Sequence, residues 1–167
     1  MSSRDQITAF VDAVSERSAA RILEMGTQDA SLLVEIVGNS HSVSVVELHC
    51  TDSPDPAFDK EVLAAGEGTS VDFQLTKHAG SDSEINDTIL ELSSARTFDA
   101  IFVSSSISAE ALLTAILVCH ESLKADGVLG LSLDIIAEPS MSSAISSFRD
   151  LLGDSYTEVS DHIFVKV

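Results

Sequence analysis

Chemistry in this chain of 167 residues concentrates in three short stretches. Glu24-Met25-Gly26-Thr27-Gln28-Asp29 joins a carboxylate to a glycine turn. Such a turn lets a ligand approach backbone N–H groups closely, and a helix beginning behind it favours negative charge there. Glu47-Leu48-His49 sets an acid two residues from an imidazole, and Ser104-Ser105-Ser106 offers three hydroxyls in a row. Each stretch also has a structural reading. Gly26 can be a tight strand-to-helix turn, Glu47 a solvated strand-end acid, and the serines a polar loop before a helix with Ser108 as its N-cap.

Other constellations are weaker. His49, Cys50, His78, Cys119 and His120 are zinc-ligand types, but their spacing matches no known ligand pattern. Cys119 is expected in a core, in line with Leu112, Ala115 and Ile116 of a helix. Ser, His and Asp occur without a Gly-x-Ser-x-Gly elbow, and there is no phosphate-binding P-loop. His49 and His78 are the only general-base candidates near the three stretches.

The elements that position these residues follow from periodicity. Ile7, Phe10, Val11 and Val14 form one apolar stripe on a helix over 4–17, with Ser3 and Gln6 spaced as a capping box. A buried strand over 20–25 follows, then a helix over 29–37 stopped by Gly38 and Asn39. The second strand covers 42–48, so that Glu47 falls at its end. A helix over 58–65 stops at Gly66. The third strand, 71–77, alternates Val71, Phe73 and Leu75 with Asp72, Gln74 and Thr76. Ser81 and Glu84 cap a helix carrying Ile85, Ile89 and Leu92. A fourth strand over 98–103, a helix over 109–124, a fifth strand over 127–133 and a helix over 141–152 come next. Two short runs, 156–159 and 163–167, read as a hairpin. Loops are expected at Thr51–Pro56 and Ala137–Ser140. Alternating strands and helices with continuously apolar strands predict an α/β fold with a doubly wound, mostly parallel sheet covered on both faces. Ligands of such sheets bind beyond the carboxyl ends of the strands, which is where the three stretches are expected.

Composition narrows the class. Twenty-seven acidic against nine basic residues give a formal charge of -18, which repels phosphates and makes nucleic acid and anionic membranes poor partners. No apolar run approaches the roughly 20 residues that span a bilayer, nothing reads as a signal peptide, and two cysteines make no disulfide framework. A cytoplasmic location is the expectation.

Three segments carry a family resemblance. Ile22-Leu23-Glu24-Met25-Gly26-Thr27, Phe98-Asp99-Ala100-Ile101-Phe102-Val103 and Leu123-Lys124-Ala125-Asp126-Gly127-Val128-Leu129 resemble, in that order, three segments of the class I S-adenosylmethionine-dependent methyltransferases. They correspond to the glycine motif, the fourth strand and the turn into the fifth strand; the small O-methyltransferase-like branch is the most similar. The resemblance covers about 20–167, leaving 1–19 as an N-terminal helix. It implies a Rossmann-like sheet of order 3-2-1-4-5 with the hairpin beside strand five. It implies cofactor contacts at Glu24, Gly26, Thr27, Gln28, Glu47 and Ser104, with Glu47 on the ribose and Gly26 at the methionine end. Asp99, near the start of strand four, is a structural acid in this fold. The family pattern has glycine at three alternate positions, here Gly26, Gln28 and Ala30, so Gln28 adds a side chain in the cofactor's approach. Ser104 stands where many relatives carry an acid, so no metal is expected.

Two functions follow: a methyltransferase acting on a small molecule, with weakened cofactor binding, or a catalytically inactive methyltransferase-fold domain for binding or oligomerisation. A homodimer is expected under either.

Overall fold

The computed structural model describes residues 1–39, 43–51, 57–104 and 108–167. The expected alternation is present. α1 (Ser3–Glu16), β1 (Arg21–Met25), α2 (Ser31–Asn39), β2 (Val45–Thr51), α3 (Phe58–Ala65) and β3 (Asp72–His78) make the first half. α4 (Asp82–Ala95), β4 (Phe98–Val103), α5 (Ala109–Ser122), β5 (Leu123–Leu131), the short α6 (Leu133–Ala137), α7 (Ser142–Leu152), β6 (Tyr156–Ser160) and β7 (Ile163–Lys166) follow. The sheet runs β3-β2-β1-β4-β5-β7-β6, with β1 to β5 parallel and β7 antiparallel to both β5 and β6. This is the expected doubly wound order with the hairpin beside strand five.

The sheet separates two cores. On one face α1, α2 and α3 bury Phe10, Val14, Leu33 and Ile36 against Ile22, Leu48 and Ala100. On the other, α4, α5 and α7 bury Ile89, Ile116 and Phe148 against Leu23, Ile101 and Leu129. Adjacent residues of β1 serve opposite cores because side chains alternate across a strand. Both faces of β1 and β4 are covered, which is why they read as continuous apolar runs. β3 is one of the two edge strands, with β6 at the other end. Phe73 and Leu75 pack on the first core while Asp72, Gln74 and Thr76 stay exposed, so its alternation in sequence reports a strand buried on one side. Cys119 is fully buried in the second core, with its Sγ 3.4 Å from Met25 Sδ.

Several boundaries differ from the periodicity. The capping box of α1 is Ser2 with Asp5, not Ser3 with Gln6: Asp5 accepts from Ser2 N at 3.0 Å and Ser2 Oγ accepts from Asp5 N at 3.2 Å. Gln6 is withdrawn into the core instead, at 1% exposure. α2 starts two residues late and runs through Gly38 and Asn39, where Asn39 Nδ2 donates to the Glu35 carbonyl. β5 begins at Leu123 and shifts register before Val128, with Asp126 at φ 63°. The capping box of Ser81 with Glu84 and the N-cap at Ser108 are as expected. Of the loop expected over 51–56, Thr51 ends β2 and the rest lies outside the described residues, as do Ser105 and Ser106. Among the described residues no helix is long and apolar enough to cross a membrane.

Candidate functional site

The carboxyl edge of the sheet is stitched across its strands. Thr27 N donates to the Thr51 carbonyl at 2.9 Å, Ser104 N to Met25 at 2.8 Å and Ser132 N to Val103 at 3.0 Å. Gly26 holds φ 68°, a conformation that L side chains rarely adopt, and its N–H donates to Thr51 Oγ at 2.8 Å. Neither Gln28 nor Ala30 has a positive φ. The turn therefore needs glycine's backbone freedom once, at Gly26. Ala30 is buried, and its carbonyl accepts the N–H of Val34 to open α2. Gln28 is exposed.

Of the expected site residues, Glu24, Gln28 and Ser104 line one cavity of about 490 Å3 between α1, α2 and the ends of β1, β4 and β5. Gly26 and Thr27 form the turn beside it. Arg4 and Ile7 of α1 supply the far wall. Gln6 fastens that wall, donating from Nε2 to the carbonyls of Leu131 at 2.7 Å and Asp161 at 3.0 Å, and accepting at Oε1 from Leu133 N at 3.0 Å. No local pattern in the sequence marks this role, since all three partners lie more than a hundred residues away.

Glu24 is the chemically loaded group. It is 3% exposed, and its Oε1 accepts from Ser104 Oγ at 2.6 Å. Its Oε2 has no hydrogen-bond partner. Burial raises its pKa to about 7; the hydroxyls of Ser104 and Thr27 oppose the rise and the charge of Asp29 adds to it. The Thr27 hydroxyl is near enough to act on the carboxyl electrostatically, yet it completes no hydrogen bond of standard geometry and is itself unpartnered.

Glu47 lies elsewhere, which corrects the expectation that it closes the ligand edge. β2 continues three residues past Leu48, and its register sets Glu47 beside Arg21, the first residue of β1. Glu47 is thus at the amino edge. Its Oε2 meets Arg21 Nε at 3.1 Å, an ion pair too bent to be a hydrogen bond, and its Oε1 is 3.9 Å from Arg96. Arg21 also donates to the Arg96 carbonyl and lies 4.8 Å over the Phe98 ring. Asp99 secures the same edge through Ala20 N at 2.8 Å, Arg21 N at 2.9 Å and Lys124 Nζ at 3.0 Å. Burial works against its charge, but these donors outweigh it and hold its carboxyl below the usual range. Asp99 is structural here, as the resemblance implied.

The histidines are paired rather than poised on the cavity. His49 Nδ1 is 3.0 Å from His78 Nε2, with ring planes 5° apart and centroids 5.3 Å apart, the spacing of rings meeting edge to edge. One ring donates and the other accepts. His49 on β2 and His78 on β3 stand on the sheet face that carries Glu47, whereas Glu24 faces the α1–α2 side with Ile22. Burial, the charge of His78 and that of Arg21 lower the pKa of His49 against the pull of Glu47; burial lowers that of His78. The possible zinc ligands are dispersed. Cys50 belongs to the first core and Cys119 to the second, burial raising both thiols to about 12, while His120 Nδ1 meets the Tyr156 hydroxyl at 3.1 Å. Among the described residues no three His, Cys, Asp or Glu side chains are grouped to hold a metal ion.

The fold is the one seen in class I S-adenosylmethionine-dependent O-methyltransferases. An O-methyltransferase from Bacillus cereus in complex with SAH superposes with a TM-score of 0.65 at 13% identity, over 98% of this chain and 81% of that one. TomG from Streptomyces achromogenes, involved in tomaymycin synthesis and solved with SAM, gives 0.66 at 15% identity, over 96% and 77%. The SAH-bound Podospora anserina methyltransferase PaMTH1 gives 0.64 at 18% identity, over 99% and 79%. The sequence matches no protein-family profile and no curated protein.

Proposed function

We propose that this chain binds an S-adenosyl cofactor at the carboxyl edge of β1 and β4 and serves as a methyltransferase for a small molecule. One observation carries the reading. Glu24, buried at that edge, lines the cavity and keeps one carboxylate oxygen without a hydrogen-bond partner, which an ammonium group of the cofactor's methionine end would satisfy. When bound, the cofactor supplies an electrophilic sulfonium methyl to a substrate nucleophile. Glu24 would hold the ammonium, Ser104 would orient Glu24, and the Gly26 turn would let backbone approach the methionine end. Substrate positioning would supply most of the acceleration. Gln28 stands in the cavity lining and would weaken the contact. The donor at the end of β4 is a serine hydroxyl already committed to Glu24. It fits poorly to a divalent cation, which prefers carboxylate oxygens. Glu47, beside Arg21 at the amino edge, is left out of the proposed cofactor contacts.

A second reading has support of its own. Among the described residues no histidine lines the cavity, so a general base would have to be one of its carboxylates, and the one raised towards neutrality, Glu24, is given to the ammonium; a fold that retains a pocket without the reaction would look the same. Calorimetric titration with SAM and SAH tests the first reading. Binding is expected, tightened by Gln28→Gly and weakened by Glu24→Ala by roughly 1.5–3 kcal/mol, the worth of a charged hydrogen bond. Failure of both the natural chain and the Gln28→Gly variant to bind either ligand would leave only the scaffold reading.

A further inference from the structure

Of the acids among the described residues, only Glu24 is buried. An ionised carboxylate can accept about four hydrogen bonds. Glu24 has one donor, Ser104 Oγ at 2.6 Å, and nothing on Oε2. No cation is paired with it among the described residues. The hydroxyls of Ser104 and Thr27 favour its charge, but the ionisable groups around it do not. Asp29 in the β1–α2 turn, Glu35 on α2 and Asp134 on α6 share the cavity wall, against one cation, Arg4 of α1. On β2 the register sets Cys50 opposite, and among the described residues the end of β4 contributes the Ser104 hydroxyl. Burial pushes a carboxyl in this setting towards its neutral form, because an isolated charge removed from water is costly. An arriving ammonium supplies the missing counter-charge and the missing donor for Oε2.

Resting on the reading above, we infer that the cavity exchanges a proton for its ligand: Glu24 is protonated in the empty protein and ionises as the ligand's ammonium reaches Oε2, so that uptake releases one proton to solvent. The oxygen–hydrogen bond of the carboxyl breaks, the proton leaves to buffer, and an N–H donor of the ligand replaces it on the same carboxylate. Binding then depends on pH in a stated sense. Because the carboxyl must ionise, affinity rises with pH through the value near 7 and levels off above it. The ligand's own ammonium titrates in the opposite sense, weakening binding at high pH, so the two contributions are separable. The burden on Glu24 also explains why a serine rather than an acid at position 104 suits this site. A second carboxylate beside Oε1 would repel the ionised form, whereas a hydroxyl can donate to it.

The experiment is calorimetry of SAH with the full chain in two buffers of different ionisation enthalpy, at about pH 6 and about pH 8. Expected are a buffer-dependent enthalpy at about pH 6 corresponding to release of about one proton, and affinity roughly tenfold tighter at about pH 8. Glu24→Gln, which keeps an acceptor for Ser104 and cannot ionise, should bind without proton release and without that rise. Infrared spectra of the empty natural chain supply a readout independent of ligand: a protonated-carboxyl band near pH 6 that is missing from Glu24→Gln. SAH binding with equal affinity at both pH values and no released proton would overturn the inference while leaving the methyltransferase reading intact. Loss of that infrared difference would overturn it equally. No SAH binding at any pH would remove the reading and the inference together.

Discussion

His49 and Glu24 show how two ionisable residues of similar burial take opposite chemistry from their surroundings. Glu24, without a counter-charge, is pushed towards neutrality at the ligand edge. His49 is held neutral between Arg21 and His78 on the opposite side of the sheet, where its ring closes an N–H···N bond between β2 and β3. That bond holds a single proton between the rings, so a second one breaks it. Both histidines have folded pKa values below the ordinary 6.5, so the unfolded chain binds protons more readily there. Their contribution to stability is present above that value and is lost as pH falls through the folded ones. Glu24, whose folded pKa is raised, slopes the other way, so the histidine effect is best read by difference. Urea unfolding midpoints of the natural chain and His78→Gln should converge as pH drops from about 7 to about 5. Parallel curves would show that the pair carries no proton linkage. The sequence marked both histidines as reactive candidates. It could not show that they face each other, because they are 29 residues apart and meet only through strand register.

At the scale of elements, α1 is brought close to the sheet by Gly130 as well as by Gln6. A Cβ on Gly130 would lie 2.4 Å from Phe102 Cδ2 and 2.9 Å from Phe10 Cδ2, whose rings already meet edge to face at 4.9 Å. Both rings are buried, so neither can yield freely. Gly130→Ala should therefore destabilise the fold by about 1–3 kcal/mol, the usual cost of overpacking, measurable by denaturant unfolding. An unchanged midpoint would show that α1 can retreat without penalty. The elements themselves were legible: stripes of period 3.6, apolar runs and glycine stops placed each strand and every helix but α6 within a few residues. Boundaries were not, and one mattered. His49, Cys50 and Thr51 look like a polar exit from a strand, yet β2 continues through them. Their polar atoms find partners on neighbouring elements, His78 for His49 and Gly26 N for Thr51. That misplaced end is what put Glu47 at the wrong edge of the sheet.

For the molecule as a whole, a formal charge of -18 is the dominant electrostatic fact. Among the described residues few of the acids are paired, and most of the ion pairs are at least partly exposed and individually weak. Mutual repulsion opposes the compact state, and salt screens it. The melting temperature should rise between about 0.01 and 1 M NaCl, where the Debye length falls from roughly 30 to 3 Å; a flat or falling curve would contradict this. Charge, element order, strand order and the strained turn at Gly26 were all determined by the sequence, because each depends on composition, periodicity or a conformation that only local residues set. Which residues share a cavity was decided by the tertiary structure. Strand register moved Glu47 to the amino edge, and packing drew Gln6 inward. The meeting of β1 with the end of β4 set Ser104 against Glu24, leaving one buried carboxylate oxygen without a partner. Burial and long-range pairing control that chemistry, and neither is a property of any one stretch of chain.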